Sequence, residues 1–244
     1  MEELNTIQKI AIIAPPLVFA IVLHEVAHGW VANRLGDHTA RDRGRLTLNP
    51  LSHIDLFGTI IMPLMLFLLT KGTMLFGYAK PVPINPYNFK DPKKDMALSS
   101  LAGPGVNLIL AVLCSLLLRV VMPPLEGLIQ QQAWNWVAFP LSLMFGYGII
   151  INVVLAVLNM IPIPPLDGSR VVYWLLPPRA AAAYYGLQPY VMKGFTYLFF
   201  IHLFLTFINA ETFSPLLYVF KFLGLIINPI IQPLLQLLLG ENIM

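Results

Sequence analysis

Apolar residues in this chain come in long unbroken runs separated by short polar or proline-rich breaks, the pattern of segments that cross a bilayer and not of half-buried strands. The first run extends from about Ile7 to Leu35 and is closed by Gly36-Asp37. A second covers Phe57 to about Leu69, broken by Pro63, and reaches span length only with flanking residues to about Phe76. The third runs from about Met96 to Val121, the fourth from about Trp136 to Met160, and the fifth from Pro189 to about Ile208. The last apolar stretch, Phe213 to Leu239, is interrupted by Pro215, Pro229 and Pro233, which leaves a crossing or an interfacial helix as alternatives. The breaks carry their own expectations. Asp37 to Pro50 is polar at first and then alternates Leu46-Thr47-Leu48, which suggests a short extended hairpin. Phe76 to Pro86 holds Pro81, Pro83 and Pro86, which remove backbone donors and force extended geometry. Non-helical backbone at membrane depth survives only against protein or a wet cavity, so this segment is expected to be re-entrant.

The pattern predicts an all-α polytopic membrane protein with about six hydrophobic segments and a short re-entrant β-like element. It is read as a single domain over residues 1–244, with a core at about 7–175 and C-terminal hydrophobic segments at about 189–240.

Composition agrees: of 244 residues, 57% are hydrophobic and 11% charged, and the mean hydropathy is +0.74, far too apolar for a soluble domain of this length. The net charge of +3 is small and the basic residues are scattered through loops, which speaks against a nucleic-acid partner and for a role in topology. Placing Arg34, Arg41, Arg43, Arg45, Lys90, Lys93, Lys94, Arg170, Arg179 and Lys193 in the cytoplasm leaves Glu2, Glu3, Glu126 and Glu211 on the other side. Cys114 is the only cysteine, so an intramolecular disulfide and a cysteine metal cage are excluded. The acidic start, Met1-Glu2-Glu3, and the absence of a small-residue cleavage site suggest a permanent first span and not a removable signal peptide.

Inside that first span lies His24-Glu25-Val26-Ala27-His28. Histidines four apart differ by about 40° round a helix, so both imidazoles address one ion, whereas Glu25 projects about 100° away, within reach of a water beside that ion. Ionisable groups among lipid-facing residues are costly and mark function. After the fourth span, Pro162, Pro164 and Pro165 unwind the helix and present Asp167 on rigid backbone as a natural third ligand. The third span carries Gly103-Pro104-Gly105-Val106-Asn107, where small residues allow close helix approach and Asn107 faces a crowded interior. His38 and His53 are read as loop histidines, His202 as a packing residue, and Asn152 and Asn159 as either span contacts or site residues.

With His24-Glu25-x-x-His28, Gly103-x-x-x-Asn107 and Leu166-Asp167-Gly168 in this order, the chain resembles the site-2 protease family of intramembrane zinc metalloproteases over about residues 10–175. The Gly44 to Pro50 and Ala79 to Pro83 stretches look like those of its compact prokaryotic members, without PDZ or CBS domains. The resemblance implies one zinc ion held by His24, His28 and Asp167, Glu25 as catalytic acid/base, and a site near the cytoplasmic face of a multi-pass protein in the cell membrane. Family members often have a second glycine where this chain has Ser169, a change expected to alter packing and leave ligation intact.

The expected reaction is hydrolysis of a peptide bond in or near a transmembrane segment of a membrane-protein substrate, within the lipid bilayer. Asn107 is expected to assist the oxyanion or bind substrate backbone, and Lys80, Pro81, Val82 and Pro83 to receive an unwound substrate strand by β-augmentation. A zinc-binding membrane transporter and a catalytically inactive scaffold of the same fold are the alternatives. The first should show internal repeats and acidic relays, and the second should lose Glu25 or a ligand; neither feature is present.

Overall fold

The computed structural model of the protein describes residues 5–69, 77–124, 134–208 and 210–240. Phe76 and Glu126 lie outside the described residues. Helix α1 spans Thr6–Arg34, and its start is set by a reciprocal cap in which Asn5 Oδ1 accepts from Gln8 N and Gln8 Oε1 accepts from Asn5 N, both at 2.9 Å. A single turn, α2, covers Thr39–Asp42, and the short apolar helix α3 covers Met62–Leu69 after a π-helical turn at Leu56–Ile61. Helix α4, Pro92–Leu116, begins with Asp91 accepting from Lys94 N and Pro92 in the first turn, where its missing donor does no harm. Then come α5 (Phe139–Asn159), α6 (Asp167–Leu175), α7 (Pro178–Phe207) and α8 (Pro215–Leu239).

Among the described residues, α1, α4, α5, α7 and α8 are long and apolar enough to cross a membrane, and the 56–68 segment is a shorter apolar helix. The outward faces are apolar, with Phe19, Leu68, Phe204 and Leu225 all exposed, as a lipid solvent requires. This is an all-α polytopic membrane protein, with five long apolar helices and a shorter one among the described residues where about six segments were expected. Helix α4 is the centre of the bundle: it packs on α1, α5 and α6. The bonds from His24 to Asn107 and from His28 to Ser99 run in opposite senses along the chain, so α1 and α4 are antiparallel.

Several sequence expectations change. The hairpin expected at 37–50 is instead the α2 turn followed by a 3-10 turn at Pro50–His53, and no strand occurs among the described residues. The cause is local: Asp37 Oδ1 accepts from Thr39 N at 3.1 Å and from Thr39 Oγ1 at 2.5 Å, which starts a helical turn in place of an extended run. Residues 77–85 are non-helical as expected, but the β-like element expected there is no strand, because its prolines interrupt any ladder. Helix α7 begins at Pro178, well before Pro189, which it absorbs. Helix α8 likewise absorbs Pro229 and Pro233, since Ile227, Ile231, Leu235 and Leu239 form a stripe at four-residue spacing buried against Ala111, Ile149 and Val153.

The proline-bearing strap is tied to the end of α1 through Asp37, which is fully buried. Besides Thr39, Asp37 accepts from Asn85 N and Asn88 Nδ2, both at 2.7 Å. Burial opposes its ionisation, but the donors from Thr39, Asn85 and Asn88 outweigh burial and hold the carboxyl below the ordinary carboxylate range. A depressed folded value stabilises the fold above the ordinary pKa, and that stability is lost as the pH falls through the lowered one. Asp37→Ala is expected to destabilise the protein by about 2–3 kcal/mol at neutral pH, by leaving buried donors unpaired. Thermal unfolding should show the variant and the parent converging as the solution is acidified below the carboxylate range.

Candidate metal centre

Three side chains from two distant parts of the chain converge at the middle of the α1–α4–α6 contact. His24 and His28 are 8% and 7% exposed and Asp167 is 8% exposed, so all three are buried. Their Nε2 atoms are 3.0 Å apart, and Asp167 Oδ2 lies 3.3 Å from His24 Nε2 and 3.2 Å from His28 Nε2. The rings stand nearly perpendicular, at 88°.

Helix α4 provides the back wall through a face at four-residue spacing: Ser99, Gly103 and Asn107. His28 Nδ1 bonds to Ser99 O at 2.8 Å, and Ser99 Oγ returns a bond to His28 O at 2.9 Å. His24 Nδ1 bonds to Asn107 Oδ1 at 2.5 Å. Between them Gly103 leaves room for the rings, since a Cβ there would stand 2.5 Å from His28 Nε2 and 2.6 Å from His24 Cε1. Asp167 is delivered by the 160–166 loop, whose prolines end α5 and start α6. The loop folds tightly enough that a Cβ on Gly168 would be 2.2 Å from Met160 O, which only glycine avoids.

Both histidine Nδ1 atoms face oxygen acceptors, so each ring carries its proton on Nδ1 and turns a lone pair outward at Nε2. Two lone pairs and a carboxylate oxygen then face one another, an arrangement that a shared cation makes favourable. The spacing fits the ion: ligand atoms about 2.0–2.1 Å from a tetrahedral zinc lie about 3.3–3.4 Å from one another. Three protein ligands leave a fourth position open, as in catalytic and not structural zinc sites. Among the described residues this trio is the one such group of potential ligands.

The other expected site residues fall as follows. Glu25 is outside the converging trio; its Oε2 accepts from Val82 N at 2.8 Å, so the strap crosses directly beside it. Lys80 N donates to His53 O at 2.9 Å, and Arg45 Nη2 donates to Lys80 O at 2.8 Å and to Pro81 O at 3.4 Å. Lys80 to Pro83 are thus brought to the edge of the site. Asn107, expected at the oxyanion or substrate, is placed elsewhere: it is fully buried behind His24, and its Nδ2 donates to Ala20 O and to Asn152 Oδ1. Its polar atoms are spent on orienting the ligand. Asn152, left open between two readings, joins that chain, and Ser99 was not singled out at all, although the 99/103/107 spacing on an apolar helix was a usable signal. Asn159 bonds to Leu155 O of its own helix, His38 to Asn33, His53 to Thr47 O and His202 to Ser214.

The profile of peptidase family M50 matches residues 12–185, a span that contains all three converging residues and Glu25. The chain belongs to peptidase family M50, the site-2 protease family. It is 38% identical over 201 residues to "Putative zinc metalloprotease YwhC" of Bacillus subtilis (strain 168), covering 82% of this chain and 83% of that protein. It is 33% identical over 206 residues to "Putative zinc metalloprotease Rip2" of Mycobacterium tuberculosis (strain H37Rv), covering 84% of this chain and 71% of that one. No solved structure matches the chain. As an M50 peptidase the protein is a membrane metallopeptidase, and the zinc that the family implies would be held by His24, His28 and Asp167.

Replacing His24, His28 or Asp167 by Ala should abolish stoichiometric zinc binding by the full-length protein in a chelator-competition titration. Gly103→Ala should weaken it through ring displacement. Asn107→Ala should weaken it about 10- to 100-fold, as loss of a ligand-orienting partner does elsewhere, whereas Asn159→Ala should leave it unchanged.

Proposed function

We propose that the chain is an intramembrane zinc metalloendopeptidase that hydrolyses a peptide bond within or near a transmembrane segment of a membrane-protein substrate, as in regulated intramembrane proteolysis. The observation that carries the reading is the buried Nε2, Nε2 and Oδ2 triangle inside an apolar bundle, with a carboxylate beside it that takes no part in the triangle. Zinc bound there supplies a Lewis acid and lowers the pKa of an attacking water toward ~7.

The chain's own residues do the rest. Glu25, partly exposed and adjacent to the ligands, accepts the water's proton during attack on the carbonyl and returns it to the departing amine. The Val82 N–H on its Oε2 fixes which way the carboxylate points. Asn107 and Ser99 hold the histidine rings in the orientation that ligation needs.

A helical substrate hides its carbonyls in its own hydrogen bonds, so it must be drawn out before cleavage, and the strap offers an edge for that. In extended backbone alternate residues face opposite sides. Tyr78, Lys80 and Val82 spend their N–H groups on Gly58 O, His53 O and Glu25, which leaves Ala79, Pro81 and Pro83 on the outer edge. That edge is poor in donors, and although Pro81 O already accepts from Arg45 at 3.4 Å, a substrate strand would attach through its own N–H groups to the remaining carbonyls. An apolar cavity of about 580 Å³ between α4, α5 and α8 reaches Pro104, next to the Gly103 that adjoins the histidines, and suits an apolar chain.

The family and the five long spans support a multi-pass protein, and we place it in a prokaryotic cell membrane with the site toward the cytoplasm. The support is charge: the end of the bundle where α1 stops and α4 and α6 begin carries Arg34, Arg41, Arg43, Arg45, Lys90, Lys93, Lys94 and Arg170. We read residues 7–175 as the catalytic core of one domain, with 189–240 completing the bundle. Glu25→Gln should retain zinc at wild-type stoichiometry while cleavage of a model transmembrane peptide in vesicles falls by about 10²- to 10⁴-fold. Cleavage at the parental rate would overturn the mechanism.

A further inference from the structure

Flanking Asp167 in the chain lies a second cavity of about 600 Å³, of mixed polar and apolar lining, that the hydrolytic mechanism leaves unused. Its walls come from both sides of the ligand Asp167, through Pro165 on one flank and Ser169 and Arg170 on the other, and from Tyr87 at the end of the strap. A chain lying along the strap from Lys80 toward Tyr87 therefore leads into it. Arg170 is three residues after Asp167 on α6, about 4.5 Å further along the helix axis, and is exposed. Its Nη1 atom meets only neutral atoms among the described residues, Ser100 Oγ at 3.3 Å and Met96 Sδ at 3.6 Å.

The other charges on the wall are committed. Lys93 Nζ donates to Leu176 O at 2.6 Å and sits over the Tyr173 ring at 5.3 Å. Asp91, the acidic group of the lining, accepts from Lys94 N at the start of α4. Arg170 and Lys93 against Asp91 leave the wall net positive, and of the two cations, neither with an anionic partner among the described residues, Arg170 is the exposed one. A fork of donors in that state is matched by a carboxylate.

Resting on the proteolytic reading above, we propose that this cavity is a substrate subsite in which Arg170 recognises an acidic side chain a few residues from the scissile bond. Arg170 would then set which transmembrane segments are cut, and where. An anionic lipid headgroup shares the chemistry, but lining residues that flank Asp167 on both sides, together with Pro86 and Tyr87 just after the strap, favour the substrate chain.

The test uses the full-length protein in phosphatidylcholine vesicles and a set of transmembrane peptides that differ only in carrying Glu, Gln or Lys at one position, moved stepwise through the flank and the span end. The expected result is a register at which Glu is cleaved at least about fivefold more efficiently than Gln, as kcat/KM. Arg170→Gln should erase that preference, and Arg170→Glu should shift it to the Lys peptide. Zinc content equal to the parent's certifies each variant, and Arg170→Lys, keeping the charge, should retain part of the preference if Arg170→Glu does not fold. The absence of any charge-dependent register, or the same preference in Arg170→Gln, overturns the proposal. So does a dependence of cleavage on added phosphatidylglycerol that Arg170→Gln abolishes while peptide charge has no effect. If the parent cleaves none of the peptides, the proteolytic reading fails by itself. Binding of fluorescent peptides to Glu25→Gln then decides the subsite: Glu over Gln by at least about fivefold upholds it, and equal binding overturns it.

Discussion

Two imidazole lone pairs and a carboxylate oxygen are held within 3.3 Å of one another in a place where water is scarce, and the bundle is arranged to make that tolerable. Isolated charges and unpaired polar groups are expensive in apolar surroundings, so each imidazole is backed by a second bond at Nδ1. Ser99 and Asn107 supply those bonds from α4, and Asn152 extends the chain into α5. Helix α4 is therefore less a wall than a template: its small and polar face at 99, 103 and 107 is shaped by what α1 presents to it.

The same economy governs the polar end of the molecule. The strap cannot form a ladder, because its prolines lack donors, yet the N–H groups it keeps at Tyr78, Lys80, Val82 and Asn85 are each engaged by Gly58, His53, Glu25 or Asp37. Two carboxylates of very different purpose, one at the site and one at the end of α1, thus hold the same segment from either side of Pro83. Such a segment is held at several points without being a sheet, and Arg45 adds a further tie at Lys80 O and Pro81 O. The cavity at Arg170 is lined by Pro86 and Tyr87, just beyond this segment, and by Pro165 and Ser169 on either side of Asp167.

Much of this was written along the chain. Runs of apolar residues announce spans because lipid demands them whatever the neighbours are. The histidine spacing requires only one helix to be meaningful, and Leu166-Asp167-Gly168 after a proline-rich break identifies itself by contrast with its surroundings. Local chemistry was also enough to mark 77–85 as non-helical. Where the reading went astray, at the hairpin expected over 37–50, a short-range competition decided: the Asp37 side chain claimed Thr39 and turned the chain before alternation could pair it.

The role of Asn107 lay beyond the reach of sequence for a different reason. A polar residue in a span can point to substrate, to a ligand or to a neighbouring helix, and its composition is the same in each case. Only the antiparallel packing of α1 on α4 puts its oxygen on His24 and spends its amide on Ala20 and Asn152. The continuity of α8 through Pro229 and Pro233 was likewise settled by burial of Ile227, Ile231, Leu235 and Leu239, a tertiary gain that outweighs lost helix bonds. The sequence by itself marked His24, His28 and Asp167 as groups to be brought together, because ionisable side chains are costly in lipid. Tertiary structure alone decided which of them converge at the centre and which stand behind, since that depends on helix register and approach, quantities that no single segment encodes.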